Sequence, residues 1–355
     1  MTNSSHETSA EAGGDWPSVT IVFLVHDRRD ELRTSLRSML FESDYDRERV
    51  DVVVVDNAST DGSAAMVEEE FPEVRLIRRG TNRGVSGWND GFAVARGDYV
   101  LALDDDCYLP PDGLRRAVAA AREHHADLVS FKVVSTADPE FVFSDEYRTG
   151  LFMFWGCAVL VDRQALQQLG GYDPEIFVWA NELEFMIRFF DRGYRHLHLP
   201  SVVAQHMKAP WSRSAPRIDQ RSYRTNARHC GYIAAKLLQR RDAVEALVAL
   251  LARGMRDGLR TDRAALRAVP DTVNGFLRGL RHREPVRKAE LSRFYRRNFE
   301  TFASPWWISR PFGRLLREVP GETLRRSRPL NVGRRDEYYA ERTRYYPEEP
   351  ATLQF

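Results

Sequence analysis

Cysteine is scarce in this chain. Cys107, Cys157 and Cys230 are the only three in 355 residues, too few and too far apart for a disulfide framework or a zinc cluster. A reducing cytoplasm is the simplest address. An excess of one charge is also lacking: 52 Lys and Arg face 51 Asp and Glu, a formal net charge of +1. No apolar run approaches the roughly 18–20 residues that span a bilayer. The polar start, Met1 to Gly14, has no basic segment followed by an apolar one, so no secretory signal is expected. Three familiar loops are missing. Without G-x-x-x-x-G-K-[ST] the chain is no P-loop nucleotide hydrolase. His26-Asp27-Arg28-Arg29 stands where a dinucleotide-binding dehydrogenase would place G-x-G-x-x-G, and Gly84-Val85-Ser86-Gly87 is too short for either loop. No G-x-S-x-G elbow supports an α/β-hydrolase. No zinc-finger spacing or other reader motif points to nucleic acid, and there is no internal repeat or low-complexity tract.

What is present reads as a folded α/β protein. Hydrophobic residues make up 43% and charged residues 29%, which excludes a disordered or fibrous chain; the length suits about two domains. Ser18 to Val25, Val50 to Val55, Val74 to Ile77, Tyr99 to Leu103 and Leu128 to Val134 are short apolar runs that read as buried strands. Between them lie helical patterns. Asp30 to Phe41 puts Leu32, Leu36, Met39 and Leu40 on one face. A second helix opens at Asp61-Gly62-Ser63, with Asp61 or Ser63 as cap; others cover Gly87 to Ala95 and Pro110 to about His125. Alternation of this kind predicts a mostly parallel sheet flanked by helices, with ligands at the carboxyl ends of its strands. His26-Asp27-Arg28, Asp56-Asn57 and Asp104-Asp105-Asp106 all fall at such ends, so one crevice is expected to gather them.

The charge balance hides a split. Acidic residues outnumber basic ones up to about residue 210, and the reverse holds beyond it. Opposite potentials within one chain favour packing of one half on the other; an anionic ligand or membrane is the alternative. Ile233, Leu237, Val244, Leu247, Leu251 and Met255 recur at helical spacing, expected to be the core face of a helical extension, with more helix around Arg287 to Phe302. The tail from Arg325 is rich in Arg, Tyr and Glu and has no assigned structure.

Asp104-Asp105-Asp106 is the strongest chemical signal. Three adjacent carboxylates repel one another, the more so in low dielectric. A divalent Mg²⁺ or Mn²⁺ ion, which prefers oxygen ligands and bridges carboxylates to phosphates, would relieve that repulsion. A solvated acidic turn is the plain alternative.

At this point the residues resemble a known family. Val19-Thr-Ile-Val-Phe-Leu-Val-His-Asp-Arg28, Val55-Asp-Asn-Ala-Ser-Thr-Asp-Gly-Ser63, Asn82-Arg-Gly-Val-Ser-Gly-Trp-Asn-Asp-Gly91 and Leu103-Asp-Asp-Asp106 occur in order. Trp155-Gly-Cys-Ala-Val-Leu-Val-Asp-Arg163, Gly170-Gly-Tyr-Asp173 and Trp179-Ala-Asn-Glu-Leu-Glu184 follow. Over about residues 17–210 the chain is similar to the family-2 glycosyltransferases with the GT-A fold, nearest to their rhamnosyl- and galactofuranosyl-transferase-like branch. The resemblance implies a metal-dependent, inverting transfer from a nucleotide sugar, UDP- or dTDP-linked, to a glycan, lipid-linked or small-molecule acceptor. It implies that Asp56 contacts the base and that Asp27 and Arg28 border its pocket. It further implies that Asn82 and Gly84 line the donor site, with Asp104 toward the ribose and sugar and Asp105 beside it. Asp106, completed by His206, would hold the cation. Where the family usually shows Glu-Asp-x-Asp, this chain has Asn181-Glu182-Leu183-Glu184. Glu182 stands at the position of the catalytic Asp and is the candidate base, Glu184 the runner-up; acids near a helix N-terminus are also favourable without any catalytic role.

Several readings stay open. His206 is a metal ligand or a structural histidine. Trp155 and Trp179 stack on an acceptor or belong to the core. A loop bearing Arg213, Arg217 and Arg221 could close over a diphosphate. The Q-x-x-R-W of processive synthases is absent, which favours transfer of a single sugar. The expected organisation is a disordered segment over 1–16, a nucleotide-sugar-binding catalytic GT-A domain over 17–210, and a basic, mainly helical extension over 211–355. Phe294, Tyr295, Phe299, Trp306, Trp307 and Phe312, set among arginines, are a candidate contact with the inner face of an anionic membrane. A catalytically silent sugar-nucleotide-binding scaffold and a sugar-nucleotide pyrophosphorylase are the alternatives. The pyrophosphorylase lacks its G-x-G-x-R stretch.

Overall fold

The computed structural model describes residues 16–139, 154–207, 220–260, 263–302 and 351–353. Strands β1 (Val19–Val25), β2 (Val50–Asp56), β3 (Arg75–Arg78) and β4 (Tyr99–Asp104) lie parallel, in the order β3-β2-β1-β4. The runs of Val and Ile in β1 and β2 are buried almost throughout, as strands covered on both faces must be. Helices α1 (Arg29–Arg37), α2 (Ser63–Glu70) and α3 (Trp88–Val94) connect them. All four residues assigned to the inner face after Asp30, namely Leu32, Leu36, Met39 and Leu40, are buried. Asp61 ties two helix starts together. Its carboxylate accepts from the Ser63 N–H (3.0 Å) at α2 and from the Arg29 N–H (2.8 Å) at α1, supplying partners that helix N-termini otherwise lack.

Beyond β4 come β5 (Cys107–Tyr108), α4 (Gly113–Glu123), β6 (Leu128–Ser135), β7 (Ala158–Asp162), α5 (Arg163–Leu169), α6 (Asn181–Asp191) and β8 (His196–His206). Here the sheet is mixed rather than parallel. β7 runs antiparallel to both β4 and β6, β6 and β8 are parallel, and β5 pairs antiparallel with the end of β8. Strand polarity is not legible in composition, because an apolar run buries equally well in either direction. A short β9 (Ala351–Leu353) adds to the start of β8.

Four helices follow: α7 (Gln220–Leu237), α8 (Arg240–Arg260), α9 (Ala268–Arg281) and α10 (Ala289–Phe302). They share one hydrophobic core with a face of the sheet: Val22 and Val53 of the sheet, Phe185 and Phe189 of α6, and Ile233, Phe276 and Tyr295 belong to one cluster. α7 and α9 approach backbone to backbone. A Cβ on Gly275 would fall 1.8 Å from the Arg228 carbonyl oxygen, and one on Gly279 2.3 Å from that of Tyr232.

Two expectations are corrected here. The apolar series from Ile233 to Met255 is not one core face. The chain breaks between α7 and α8, so Ile233 and Leu237 are buried while Val244 and Met255 point outward, 55% and 53% exposed. Nor are Phe294 and Tyr295 available to a membrane, since both are buried in the core; the side chains of Phe299 and Phe302, and residues 306–312, lie outside the described residues.

The acidic and basic halves do meet. Lys236 of α7 reaches Asp173 (2.6 Å) and Glu184 (2.9 Å) in a buried network that also takes in Arg188 and the Tyr232 hydroxyl. The Lys236 and Tyr232 contacts hold Asp173 below the usual carboxylate range although burial pushes it upward. Removing one partner of a buried pair leaves an uncompensated charge, so Lys236→Met should cost about 3–5 kcal/mol, measured as a lowered urea midpoint at unchanged slope.

Candidate active site

The carboxylates at the end of β4 need compensation, and the fold supplies it from the loop after β1 and the end of β8. Arg28, on the loop after β1, ion-pairs through Nη1 with Asp106 and lies 3.8 Å from Asp105. The β5–β8 ladder sets Cys107 opposite His206, which brings His206 Nε2 to 3.1 Å from Asp106 Oδ1. The Met207 N–H donates to the Asp106 carbonyl (2.9 Å) and closes the corner. Asp105 turns inward. Burial first, then Asp106 and Asp104, holds its carboxyl well above the usual range, while the His26 N–H (3.3 Å) donates to it.

One ligand atom from each of Asp104, Asp106 and His206 lies within 4.8 Å of the others. Two carboxylates and an imidazole suit Mn²⁺ well, and Mg²⁺ through its carboxylate preference. The guanidinium of Arg28 already places a cation against Asp106, which is an independent sign that the corner accommodates positive charge.

A second assembly faces the same cavity of about 420 Å³. The chain enters α6 through Trp179 and Ala180, both with left-handed backbone (φ 68° and 63°), a conformation that persists only where surrounding contacts enforce it. The His229 ring of α7 lies 3.1 Å from the Trp179 carbonyl through Nδ1, and the Val85 N–H donates to the Phe177 carbonyl (2.8 Å). Gly84 makes that second contact possible: φ is +58°, and a Cβ would fall 1.8 Å from the Phe177 oxygen. Glu182, in the first turn of α6, presents its carboxylate against Gly156, where a Cβ would come within 2.2 Å of Oε1. Burial foremost, with the charge of Asp104 adding to it, raises this carboxyl to about 7. Glu184 behaves differently. It is buried and spent on Arg188 (2.6 Å) and Lys236 (2.9 Å).

Of the residues singled out from sequence, Arg28, Asn82, Gly84, Asp104, Asp105, Asp106, Glu182 and His206 all line this cavity, as do Trp155 and Trp179. Asp27 and Asp56 do not. Asp27 accepts from the Thr60 N–H (2.6 Å) and Asp56 from the Ser59 N–H (3.1 Å), so both brace the 57–60 loop beside it. Arg213 and Arg217 lie outside the described residues, and Arg221 is an exposed residue at the start of α7. Three lining residues escaped the sequence reading of roles. Asn57 donates to Asn82 (2.9 Å) and to the Gly84 carbonyl (3.1 Å) and accepts from the Arg83 N–H (3.0 Å), fixing the loop that carries Asn82 and Gly84; its place at the end of β2 was the available signal. Ser222 and Asn226, one turn apart on α7, complete the wall, and nothing in their sequence surroundings marks them.

Known proteins resemble this chain in family and fold. Residues 20–196 match the family described as glycosyl transferase family 2. The succinoglycan biosynthesis protein ExoO of Rhizobium meliloti is 37% identical over 107 residues, which is 30% of each chain. The poly(ribitol-phosphate) beta-N-acetylglucosaminyltransferase TarS of Staphylococcus aureus is 34% identical over 104 residues, 28% of this chain and 18% of TarS. The matches thus span less than a third of these relatives. Residues 1–349 of S. aureus TarS, solved with UDP-GlcNAc, superpose with a TM-score of 0.53 at 17% identity, over 81% of this chain and 89% of that one; this likeness shows a shared GT-A fold.

If the corner holds a divalent ion, Mn²⁺ titration followed by electron paramagnetic resonance should show one site in the wild type, lost in Asp106→Ala and weakened in His206→Ala. Asp112→Ala, at the start of α4, should bind as the wild type does. Equal binding by all four proteins would place the ion elsewhere.

Proposed function

With residues 20–196 belonging to glycosyl transferase family 2, we propose that the protein transfers one sugar from a UDP- or dTDP-linked donor to an acceptor hydroxyl, with inversion at the anomeric carbon. The observation that carries this reading is the meeting, in one cavity, of the Asp104–Asp106–His206 cluster with the proton-avid carboxylate of Glu182. The two halves of a displacement need opposite help. The leaving nucleoside diphosphate gains negative charge; the attacking hydroxyl must lose a proton.

Glu182 takes the acceptor proton as the hydroxyl oxygen forms its bond to the anomeric carbon. The bond from that carbon to the diphosphate oxygen breaks, and the pair of electrons leaves with the nucleotide. A carboxylate with a pKa near neutral is a better base than an ordinary one and is still ionised above pH 7. Asp104, Asp106 and His206 would hold a divalent cation, which would supply positive charge to neutralise the diphosphate. Arg28, now on Asp106, would give the diphosphate a further positive partner. Asn57, through Asn82 and Gly84, keeps the donor loop in place. Trp155 and Trp179 offer ring faces to a sugar acceptor, as the name of TarS, with its poly(ribitol-phosphate), suggests a polyhydroxylated chain. Glu184, locked in its ion pairs, takes no part.

Two measurements test the base. Glu182→Gln should leave nucleotide affinity within a few-fold and lower kcat by about 10²–10⁴; normal turnover in Glu182→Gln with loss in Glu184→Gln would move the role two residues on. The raised pKa means that Glu182 is protonated, and useless as a base, below about pH 7. The rate at limiting donor should therefore fall tenfold per unit as pH drops beneath that value, an acid limb that a base of ordinary carboxylate pKa would place more than two units lower.

A further inference from the structure

Among the described residues, eight of the ten large hydrophobic side chains exposed to solvent lie between Val244 and Leu280. On α8 they form a stripe: Val244, Val248, Met255 and Leu259, with Val248 60% and Leu259 76% exposed. On α9, Val273, Leu277 and Leu280 repeat the spacing, and Leu277 is 56% exposed. The two stripes are neighbours. The turn Arg263–Arg267 packs Leu266 so tightly against α8 that a Cβ on Gly258 would fall 2.5 Å from it, and Leu266 is itself exposed. Apolar surface concentrated in this way marks an interaction face.

The charges beside it identify the partner. Every acidic side chain described between Arg240 and Arg281 is ion-paired, and Asp242 and Asp257 are buried. Asp242 and Glu245 pair with Arg296, Asp257 with Arg253, and Asp271 with Arg224. Six arginines of the same stretch are exposed; Arg241 pairs with Glu245 and Arg278 with Glu175, which leaves Arg240, Arg263, Arg267 and Arg281 as the outward cations of the described face. The outward charge of the described part of the face is thus basic, and it rims an aliphatic stripe. A protein partner with a complementary acidic rim would meet it equally, but paired helices with an aliphatic face and arginine flanks have the pattern of interfacial membrane helices.

We propose that the outward face of α8 and α9 docks on an anionic lipid bilayer. The aliphatic side chains enter the headgroup boundary and the arginines meet lipid phosphates. The backbone contacts of Gly275 and Gly279 fix α9 to α7, and α7 lines the cavity with Ser222 and Asn226; docking would hold that cavity beside the membrane surface. The inference rests on this surface and not on the reading of the cavity.

Flotation of the full chain with vesicles of phosphatidylcholine alone, and of phosphatidylcholine mixed with phosphatidylglycerol, is the test. Binding is expected only to the mixed vesicles and should weaken with added salt. Val248→Glu combined with Leu277→Glu should reduce it about tenfold or more, and Arg263→Gln with Arg267→Gln should reduce it without altering an apolar side chain. Both doubles should keep the wild-type unfolding temperature and nucleotide affinity. Three results would overturn the proposal. The first is no binding to anionic vesicles. The second is a dimer in light scattering that the Glu double variant dissolves, which would assign the face to a second copy. The third is a lowered unfolding temperature in that variant, which would mean that another part of the chain covers it.

Discussion

Three carboxylates at the end of one buried strand are the constraint on which the rest of the site depends. Asp104, Asp105 and Asp106 follow β4 without interruption, and their mutual repulsion in a half-buried corner must be offset for the chain to fold around them. The protein answers with partners from two distant segments and with burial of one of the three acids. Arg28 comes from the loop after β1, His206 from the end of β8, and Asp105 is removed from the count by burial that favours its neutral form. A corner built to hold cationic partners is a corner that can exchange one of them for a metal and a diphosphate.

Glu182, the proposed base, is arranged by a different principle. It is held back from water beside Gly156, at the start of a helix entered through strained left-handed backbone. Val85 and His229, which flank this entry at a distance on either side in sequence, hold the carbonyls of Phe177 and Trp179. The helical extension thus forms part of the cavity wall and is not an appendage to it. Its α7 supplies Ser222 and Asn226 to the cavity wall, buttresses the Trp179 turn, and answers the buried acids Asp173 and Glu184 with Lys236. The likeness to TarS over most of both chains is consistent with a fold in which helices and sheet share one core.

Much of this was legible in the sequence. The first four strands, the helix that buries Leu32 and Leu36, and the convergence of strand ends all follow from periodicity and turn chemistry. The acidic triplet announced itself by its cost. Glu182 and His206 needed the family resemblance, because a glutamate in a first helical turn and a histidine at a strand end are common without any function. The structure adds what sequence could not hold. Strand direction is silent in composition, which is why β7 was not seen to reverse the sheet. A helical period identifies an apolar face but not whether anything covers it, so Val244 and Met255 were taken for core. Asp27 and Asp56 were placed in the donor site by their motif, yet their hydrogen bonds go to the 57–60 loop; side-chain direction within a tight loop depends on contacts remote in sequence.

The central claim is that one base, Glu182, drives a single displacement across from the diphosphate. The stereochemistry of the product tests it most directly. An α-linked nucleotide sugar turned over by the protein, with an acceptor alcohol or with water, should first yield the β-configured product, read from anomeric proton signals by nuclear magnetic resonance before mutarotation blurs them. An α-configured first product would contradict the account, because retention cannot arise from one base and one displacement.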